Sequence, residues 1–487
     1  MLKILPASEI SKLDQIHLKR NGISNHAFME RVAQRFVDWF QSQGYSSQKK
    51  ILVCVGAGNN GGDGLAIARM LFALGYPVEV ATCFSLGAKL APDCQQNLSL
   101  LPSQIHCHSL NHAVLPNEGI LIDAYLGVGY SGSLREEAKQ QIQIMNSFEG
   151  TIIALDLPSG LPADSIQAEA AVKANLTVTL GFPKLSLLLP EHAEFTGKLV
   201  VLDIGFVQEE FSDFLGQTYF LEAKDLLPLH RKFHRFAHKG DFGKILLVAG
   251  SKGKMGAAVL AAKAAFRTGS GLITCLIPEE ERGALAAVPE AMGIFDENQD
   301  FSSYDAIGMG PGLGLNQGER LKAMLSATRK PVVLDADALN CLAKDPTIWG
   351  MIPKGSILTP HLKEFDRLFG PCETHLERMA KAKSCCLFYK LNLVLKGANT
   401  LCSLSDGRQV FNSSGTMYMA TAGMGDALTG MLTSFLGQGY SPENAVLCGV
   451  FHHGLAGELA GEHYLRGTMA HDLIEAIPET YRLIGLD

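Results

Sequence analysis

Short apolar runs, each ending in a glycine-rich or acidic turn, organise this chain. Examples are ILVCV at 51–55, TIIAL at 151–155 and KILLVA at 244–249. Runs without polar alternation are typical of strands buried on both faces, which belong to parallel sheets covered by helices. Segments with helical periodicity separate the runs. The sequence therefore predicts an α/β protein with mostly parallel sheets.

The length of 487 residues exceeds the size at which one core keeps growing, so we expect two domains of about 200–250 residues. The alternation lapses over 204–235 and then restarts. We therefore predict one domain at 1–220 and a second at 225–487.

The predicted elements follow the same alternation in both halves. In the first half, strands are expected at 51–55, 77–83, 119–123, 151–155, 176–181 and 199–203, and helices at 8–43, 63–74, 91–101 and 134–147. In the second half, strands are expected at 244–249, 271–276, 305–309, 331–334, 356–359, 392–396 and 400–404, and helices at 256–268, 316–327, 363–369, 374–388, 424–437 and 442–462.

Composition excludes several classes of protein. A net charge of −7 argues against a nucleic-acid binder, and we expect the basic stretch at 230–240 to be a solvated linker. No apolar stretch approaches the roughly 18 residues of a membrane helix, and the N-terminus lacks the apolar core of a signal peptide. The 11 cysteines contain no C-x-x-C pair, which favours reduced thiols in the cytoplasm over zinc or disulfides.

The first glycine-rich turn, VGAGNNGGDG at 55–64, follows the strand at 51–55. Its glycines satisfy G-x-G-x-x-G, the fingerprint of nicotinamide-dependent redox enzymes. Asn59, Asn60 and Asp63 add hydrogen-bonding groups that the cradling of a phosphate does not need. This stretch alone does not decide between three interpretations: a redox fingerprint, a plain glycine turn and a different kind of polar site.

Polar residues also follow two later strands of the first half. Asp123 follows GILI, and Asp156 and Ser159 follow TIIAL. Ligands of open α/β sheets bind outside the carboxyl ends of the strands, where Asn60, Asp123 and Ser159 are expected to meet. Oxygen ligands of this kind suit a hard cation. Each residue alone is also a common helix cap or turn former.

Five motifs in order make the first half similar to NAD(P)H-hydrate epimerase domains: NNGGDG, IDAYLGVGYSG, LDLPSGLPAD, AVKANLTVTLGFPK and VVLDIG. The resemblance implies a Rossmann-like three-layer sandwich that inverts C6 of hydrated NADH or NADPH, abbreviated NAD(P)HX. It also implies that Asn60, Asp123 and Ser159 hold K⁺. The residues that it implies for the hydrate are Asn59, Asn60, Gly61, Gly62, Asp63, Gly127, Val128, Gly129, Tyr130, Ser131, Gly132, Ser133 and Asp156.

The chemistry of that reaction suits these residues. C6 of the hydrate is a hemiaminal carbon, so loss of its hydroxyl leaves a cation shared with N1, and water can add to the other face. A carboxylate that exchanges protons suffices, and no redox centre is needed. We assign Asp156 as the acid–base residue and Lys184 as its electrostatic partner.

The second half contains ATAGMGDALTGML at 420–432, in which glycines precede a helix. Free amide groups and the helix dipole meet at Asp426, where they would stabilise a phosphoryl group in transit. A carboxylate there would take a proton from an attacking hydroxyl. His361 and Lys396 are expected at the same edge of the sheet. Each alone also suits a blander role, a helix cap for His361 and a surface lysine for Lys396.

Together with the glycine turns of the second half, these motifs resemble the ADP/ATP-dependent NAD(P)H-hydrate dehydratases over about 225–480. The resemblance implies a ribokinase-like fold that phosphorylates the hydroxyl of the hydrate with ADP or ATP and Mg²⁺, then eliminates phosphate. Asp426 would be the general base, and Lys396 would neutralise phosphate charge. The implied hydrate contacts are Ala257, Gly312, His361 and Asp426, and the implied nucleotide contacts are Lys396, Gly397, Ala398, Asn399, Thr400 and Gly425.

Ala422 and Met424 stand where that family usually has Gly and Thr, which predicts an altered nucleotide pocket. Taken together, the two halves predict a fused repair enzyme, an isomerase joined to a lyase. We expect NAD(P)HX and an adenine nucleotide as its partners, and a cytoplasmic homo-oligomer. The alternative is a ribokinase-like kinase for a small alcohol, fused to a Rossmann-like binding module without catalysis.

Overall fold

The structure is a computed structural model that describes residues 1–85, 87–112, 118–130, 132–296 and 300–486. The chain forms two compact units, Leu2–Gly216 and Gln217–Asp487 with Met1. Each unit contains a largely parallel sheet with helices, so the predicted α/β class is confirmed.

The first unit is a sheet of parallel strands in the order β4-β3-β2-β5-β6-β7-β8. The strands of this sheet are β2 (Ile51–Val55), β3 (Val78–Thr82), β4 (His106–Ser109), β5 (Ile120–Ala124), β6 (Thr151–Leu155), β7 (Leu176–Leu180) and β8 (Lys198–Leu202), and the two-residue strand β1 (Leu2–Lys3) is not part of it. Its helices are α1 (Ala7–Asn21), α2 (Asn25–Ser42), α3 (Asn59–Ala73), α4 (Pro92–Ser99), α5 (Glu136–Asn146) and α6 (Ala193–Thr196).

The alternation of side chains along β2 builds the three layers. Its odd-numbered residues pack in one core with Phe36 of α2 and Leu65 of α3. Its even-numbered residues pack in a second core with Ile142 of α5. Because every residue of β2 is buried, the strand reads as one apolar run without alternation.

The winding of the sheet reverses at β2, which has β3 on one side and β5 on the other. At this switch point the glycines of the first turn allow the backbone to pack closely. A Cβ on Gly56 would lie 1.9 Å from the carbonyl oxygen of Tyr125, and a Cβ on Gly61 would lie 1.9 Å from that of Gly56. Gly56 and Gly61 are therefore required by the chain itself, whatever ligand binds there, whereas a Cβ on Gly58 would meet nothing within 4 Å.

The second unit has strands in the order β9-β18-β17-β16-β15-β14-β13-β10-β11-β12, of which only β17 runs antiparallel to its neighbours. The strands are β9 (Thr218–Leu221), β10 (Lys244–Val248), β11 (Leu272–Leu276), β12 (Met292–Ile294), β13 (Ala306–Met309), β14 (Val332–Leu334), β15 (Ile357–Leu358), β16 (Asn392–Leu395), β17 (Leu401–Ser403) and β18 (Gln409–Asn412). The helices are α7 (Met255–Arg267), α8 (Gly318–Ser326), α9 (Ala336–Lys344), α10 (Leu362–Phe369), α11 (His375–Tyr389), α12 (Met424–Gly437), α13 (Pro442–Tyr464) and α14 (Ala470–Leu483).

Small residues bring α12 close to α7 in this unit. A Cβ on Gly430 would lie 2.1 Å from the carbonyl oxygen of Ala261, so the two backbones touch at this point. The alanines of α7 and the apolar residues of α12 share one core with β10. This contact fixes the beginning of α12, which carries Asp426.

The structure differs from the predicted elements in several places. The helix expected at 8–43 is two helices, because Gly22 ends α1 in the left-handed conformation (φ 63°) and Ser24 caps α2. The elements without a predicted counterpart are β1, β4, β9, β12, β18, α6, α9 and α14.

Among the described residues, no helix is long and apolar enough to cross a membrane.

The basic stretch at 230–240 was expected to be solvated, and this prediction is wrong at its first residue. His230 is buried, and its Nε2 lies 3.0 Å from Nε2 of His452. Its Nδ1 lies 2.9 Å from the hydroxyl of Tyr440. Nδ1 of His452 lies 2.6 Å from Oγ1 of Thr480. Most of the residues that follow His230 in the stretch are exposed, as expected.

Burial lowers the pKa of His230 to about 4, and burial followed by the charge of His230 lowers that of His452 to about 3. The folded unit therefore binds fewer protons than the unfolded chain between pH 6.5 and these values. The free energy of unfolding therefore has its full value above pH 6.5 and decreases as the pH falls below it. By pH 5.5 the expected loss is about 1 kcal/mol for each histidine.

We predict that the urea midpoint of the second unit falls between pH 8 and pH 5.5. A Trp39→Phe background leaves Trp349 as the fluorescent reporter of that unit. His452→Gln should lower stability at pH 8 and shrink the pH dependence, because one buried base is removed. The exposed His238 provides the control, His238→Gln, which should change neither. An unaltered pH dependence in His452→Gln would contradict the assignment.

Candidate active sites

A cavity of about 1040 Å³ lies in the first unit, beside the loops that follow β2, β5 and β6. Among the residues implied for the hydrate, those that line it are Asn59, Asn60, Asp63, Gly127, Val128, Gly129, Tyr130 and Asp156. Lys184 lines it as well. The sequence thus places its main polar candidates around one space.

Other implied hydrate residues do not line this cavity. Gly61 and Gly62 lie buried in the first turn of α3, where a Cβ on Gly62 would lie 2.9 Å from the side chain of Met29. Gly132 and Ser133 lie beyond the lining part of the loop after β5. Ser131 lies outside the described residues.

Asp156 is held in an unusual backbone conformation by a buried ion pair. Its φ of 66° lies in the left-handed region, which costs a residue with a side chain about 1 kcal/mol or more. Its Oδ1 accepts hydrogen bonds from the Lys184 ammonium and from the backbone N–H of Leu180 at 3.0 Å. Lys184 also donates to Oγ1 of Thr179 at 3.2 Å. No hydrogen bond from a described residue reaches Oδ2 of Asp156, so this oxygen is available to a ligand.

A second buried carboxylate, that of Asp123, lies at the end of β5. It accepts hydrogen bonds from the N–H of Ser159 at 2.8 Å and from its hydroxyl at 2.6 Å. Burial raises the pKa of Asp123 to about 6, although the two bonds from Ser159 and one from Tyr125 lower it. Within the described part of the chain no Lys, Arg or His pairs with Asp123.

Asn60 completes this cluster from the first turn of α3. Its Nδ2 donates to the carbonyl of Leu126 at 3.0 Å, and the N–H of Leu126 donates to Oγ of Ser159 at 2.7 Å. The described residues contain no group of three or more His, Cys, Asp or Glu arranged for a metal ion. Amide, hydroxyl and carbonyl oxygens around one uncompensated carboxylate instead fit a monovalent cation such as K⁺.

Two further acids line the same cavity without any sequence motif to mark them, Asp14 of α1 and Asp93 of α4. Burial raises the pKa of Asp14 to about 6, with Lys184 lowering it and Asp156 raising it. Burial and then the charges of Asp156, Asp14 and Asp93 raise the pKa of Asp63 well above its usual range. The cavity therefore gathers several carboxyl groups beside one buried ammonium.

The second unit has its own ion pair, between the buried Asp335 and the partly exposed Lys396. Asp335 follows β14, and its Oδ1 accepts a hydrogen bond from Nζ of Lys396 at 2.9 Å. Its Oδ2 accepts one from the hydroxyl of Thr429 at 2.9 Å. A Cβ on Gly425 would lie 3.4 Å from the same Nζ. The sequence analysis assigned no role to Asp335.

Asp426 lies in the first turn of α12, after Gly423, whose φ of 90° suits glycine. Burial raises the pKa of Asp426 to about 6, the charges of Asp335 and Asp337 raise it, and Lys396 lowers it. Nε2 of the buried His453 donates to the carbonyl of Met424 at 2.9 Å. The histidine thus holds the turn that presents Asp426.

His361 proves to be a helix cap. Its Nδ1 accepts from the backbone N–H groups of Lys363 at 3.1 Å and Glu364 at 3.3 Å. Nδ1 therefore carries no proton, and the neutral ring presents an Nε2–H donor on a half-exposed side chain. A short parallel bridge joins His361 to Lys396, so the cap lies beside the ion pair.

The remaining implied residues of the second unit fall into two places. Gly312 adopts a φ of 60°, and a Cβ on it would lie 3.1 Å from Cβ of Ala257, so these two residues adjoin. Residues 396–400 form an exposed turn in which the hydroxyl of Thr400 donates to the carbonyl of Gly397 at 3.0 Å. This turn includes Ala398 and Asn399.

Two residues depart from the family pattern, Ala422 and Met424, and Met424 does not narrow a pocket. Its side chain is buried in a core formed with α7 and α14, which includes Ala470 and Leu473. Ala422 is exposed. The altered nucleotide pocket that we predicted from Met424 therefore has no support at that position, because the side chain points into the protein.

Family models match both units. One described as NAD(P)H-hydrate dehydratase matches residues 245–479, and one described as YjeF-related protein N-terminus matches residues 25–186. Among solved structures, an ADP/ATP-dependent NAD(P)H-hydrate dehydratase from Bacillus subtilis, co-crystallised with ATP and Mg²⁺, is 31% identical with a TM-score of 0.50. It covers 55% of this chain and 98% of its own. A ribokinase-like protein from Enterococcus faecalis, 24% identical with a TM-score of 0.51, covers 56% and 99% and supports the fold.

Relatives over the whole chain carry both units together. The bifunctional NAD(P)H-hydrate repair enzyme of Moorella thermoacetica is 32% identical and covers 98% of this chain and 96% of its own length. That of Coxiella burnetii is 34% identical and covers 96% of each. The alignments span both ion pairs and both glycine turns, and the chain belongs to the family of bifunctional NAD(P)H-hydrate repair enzymes.

Proposed function

We propose that the protein repairs hydrated NAD(P)H, with the first unit interconverting the R and S epimers of NAD(P)HX and the second converting the S epimer to NAD(P)H. The observation that carries this proposal is the pairing of a lysine with a buried carboxylate at the carboxyl edge of each sheet. Lys184 pairs with Asp156, and Lys396 pairs with Asp335. Each pair has a further acid beside it, Asp14 in the first unit and Asp426 in the second.

Dehydration begins when the hydroxyl on C6 of the hydrate attacks the terminal phosphorus of ADP or ATP. Asp426 accepts the hydroxyl proton, a task suited to a carboxylate whose pKa of about 6 lies close to neutral pH. The amide groups at the start of α12 and the ammonium of Lys396 stabilise the phosphoryl group in transit. Phosphate then leaves C6 with the electron pair of the C6–O bond, and a proton leaves C5 to solvent, which restores the C5–C6 double bond of the dihydronicotinamide.

The nucleotide brings Mg²⁺ with it, and Asp335 and Asp337 are the carboxylates available to hold the ion. Mg²⁺ commonly binds one or two carboxylates together with substrate phosphates, and both aspartates lie close enough to raise the pKa of Asp426. The ion would supply positive charge that shields the phosphate oxygens. Lys396 already holds Asp335 in place without it.

Epimerisation requires that the hydroxyl leave C6 from one face and that water add to the other. The cation between these steps is shared with N1, and the carboxylate of Asp156 stabilises it. Lys184 and the N–H of Leu180 fix Oδ1 of Asp156, while Oδ2 can accept the proton of the adding water. Neither step transfers a hydride, so the dinucleotide is the substrate rather than a redox cofactor.

K⁺ bound by Asn60, Asp123 and Ser159 would balance the buried charge of Asp123. The same residues reach the loop after β5 through the backbone of Leu126. They would thus fix the segment that includes Gly127 and Val128 against the hydrate. The role of the ion is to order this loop and to supply positive charge for the phosphates of the substrate.

The alternative, a small-alcohol kinase fused to an inert binding module, is not favoured. The matched relatives extend over both units at similar coverage. An inert module would have no use for a strained aspartate paired with a buried lysine, since both features cost stability.

Asp426→Ala should abolish the nucleotide-dependent formation of NADH from NADHX, with a loss of about 100-fold or more, because no base remains for the hydroxyl. Absorbance of NADH measures this rate, and epimer exchange in the same sample is the internal control. The wild-type rate should also fall as the pH drops through about 6, where Asp426 becomes protonated. Unchanged dehydration in the variant would contradict the role of Asp426.

Asp156→Asn should slow epimer exchange and leave dehydration of the S epimer unchanged. Asparagine tolerates the left-handed backbone better than most residues, so the change removes charge without adding strain. Chromatographic separation of the two epimers measures the exchange. Loss of both activities together would point instead to a damaged fold.

KCl should accelerate epimer exchange and raise the melting temperature of the first unit more than LiCl at the same ionic strength. Asp123→Asn should remove both effects, since it deletes the charge that the ion balances. Asp164→Asn is the matched control, because Asp164 is a half-buried carboxylate of the same unit that does not line the cavity. Equal responses to K⁺ and Li⁺ in the wild type would rule out a selective site.

A further inference from the structure

Asp14 of α1 lines the epimerase cavity and is half-buried. Among the described residues its carboxyl group makes no hydrogen bond and no ion pair, as is also true of Asp63 and Asp93 in the same cavity, whereas Asp156 is fixed through Oδ1. Asp14 interacts electrostatically with both Lys184 and Asp156. On the same helix, His17 pairs with Glu210 at 3.1 Å. A carboxyl group left unbound at a cavity wall is free to meet a ligand.

The two carboxyl groups also differ in environment. Asp156 is in contact with the Lys184 ammonium. Asp14 feels Lys184 only at longer range, and burial raises its pKa to about 6. Pairs of carboxyl groups whose surroundings push their protonation apart are typical of sites where one acts as the acid and the other remains ionised.

From this geometry we propose, on the basis of the proposed epimerase function, that Asp14 is a second acid–base residue of the site. It donates the proton that lets the C6 hydroxyl leave, while Asp156 remains the anion that faces the cation. The two residues come from different walls, Asp14 from α1 and Asp156 from the loop after β6. Exchange between the faces of one ring requires proton transfer at two positions, which one fixed carboxylate does not supply.

The step balances without a further reactant. The Asp14 carboxyl transfers its proton to the C6 hydroxyl, and the oxygen leaves as water with the electron pair of the C6–O bond. A water molecule then donates a lone pair to the other face of C6 and releases a proton to Oδ2 of Asp156. Proton transfer through solvent from Asp156 to Asp14 restores the starting state. The reverse epimerisation uses the same groups in the opposite order.

The charged groups that face Asp14 come from several elements. Lys184 lies after β7, Asp156 after β6, Asp63 on α3 and His17 on α1 itself. Burial and Asp156 oppose ionisation of Asp14, whereas Lys184 and His17 favour it. With a pKa of about 6, roughly a tenth of Asp14 is protonated at pH 7. The catalysed exchange should therefore speed up as the pH falls from 8 towards 6.

The test compares Asp14→Asn, Asp14→Glu and the control Glu9→Gln in the full-length protein. Glu9 is an acid of the same helix that does not line the cavity. Exchange of purified NADHX epimers is followed from pH 5.5 to 8, with the uncatalysed rate subtracted. Asp14→Asn should lose about 100-fold or more in exchange and show no rise towards low pH. Asp14→Glu should regain part of the rate and the pH dependence, and Glu9→Gln should resemble the wild type.

Two further measurements separate a chemical from a structural role. The nucleotide-dependent dehydration of the S epimer and the melting temperature of the first unit should be unchanged in Asp14→Asn. If the Asn variant does not fold, a wild-type exchange rate that does not rise towards pH 6 would overturn the inference. A folded Asn variant with exchange within threefold of the wild type would overturn it too. Absence of exchange in the wild type would instead overturn the proposed function and the inference with it.

Discussion

The lysine–carboxylate pairs impose the main constraint on both sites. In the first unit both partners are buried, and removing one partner of such a pair leaves an uncompensated charge and costs about 3–5 kcal/mol, so the surrounding structure has to keep both in place. There, Lys184 contacts Asp156 and also donates to hydroxyl and carbonyl groups at the end of β7. In the second unit, Lys396 extends from the end of β16 to Asp335 at the end of β14. In each case the parallel sheet supplies the alignment, because its strands all end at one edge.

The two units use the same kind of lysine–carboxylate ion pair for different chemistry. In the first, negative charge gathers around a small amount of positive charge, which suits a substrate ring that becomes cationic. In the second, Lys396 and Asp426 lie beside the free amides at the start of α12, which suits the proposed transfer of a phosphoryl group and of a proton. Each unit raises the pKa of at least one acid to about 6, so that it can gain and lose protons near neutral pH.

Much of the fold could be predicted from the sequence because its central strands are short, apolar and buried on both faces. The strands and helices without a predicted counterpart carry weaker signals. β4 is HCHS, a polar edge strand, and β9 lies in a stretch whose composition resembles a linker. The break between α1 and α2 depends on a single glycine cap. These segments acquire their structure from pairing and packing in the folded protein rather than from the local preference of their sequence.

The residues of the candidate sites also divide into those with a strong sequence signal and those with a weak one. Asp123, Asp156, Lys396 and Asp426 could be found because each directly follows a strand or a glycine turn. Asp14 lies on a polar helix, 142 positions before Asp156 in the numbering, and no spacing rule connects the two. The sequence left His361 as either a hydrate contact or a helix cap, and the structure shows the cap, in which two backbone N–H groups donate to Nδ1.

The first glycine turn has a consequence for how such motifs are interpreted. Gly56 and Gly61 are each required because a neighbouring carbonyl oxygen occupies the space of a side chain. The first and last glycines of G-x-G-x-x-G thus reflect how closely the chain packs around this turn, before any ligand is considered, whereas the space around Gly58 is open. Two of the three glycines in the signature of hydride-transfer enzymes can therefore arise from the architecture alone. The residues that distinguish one chemistry from another are then those that lie between these two glycines.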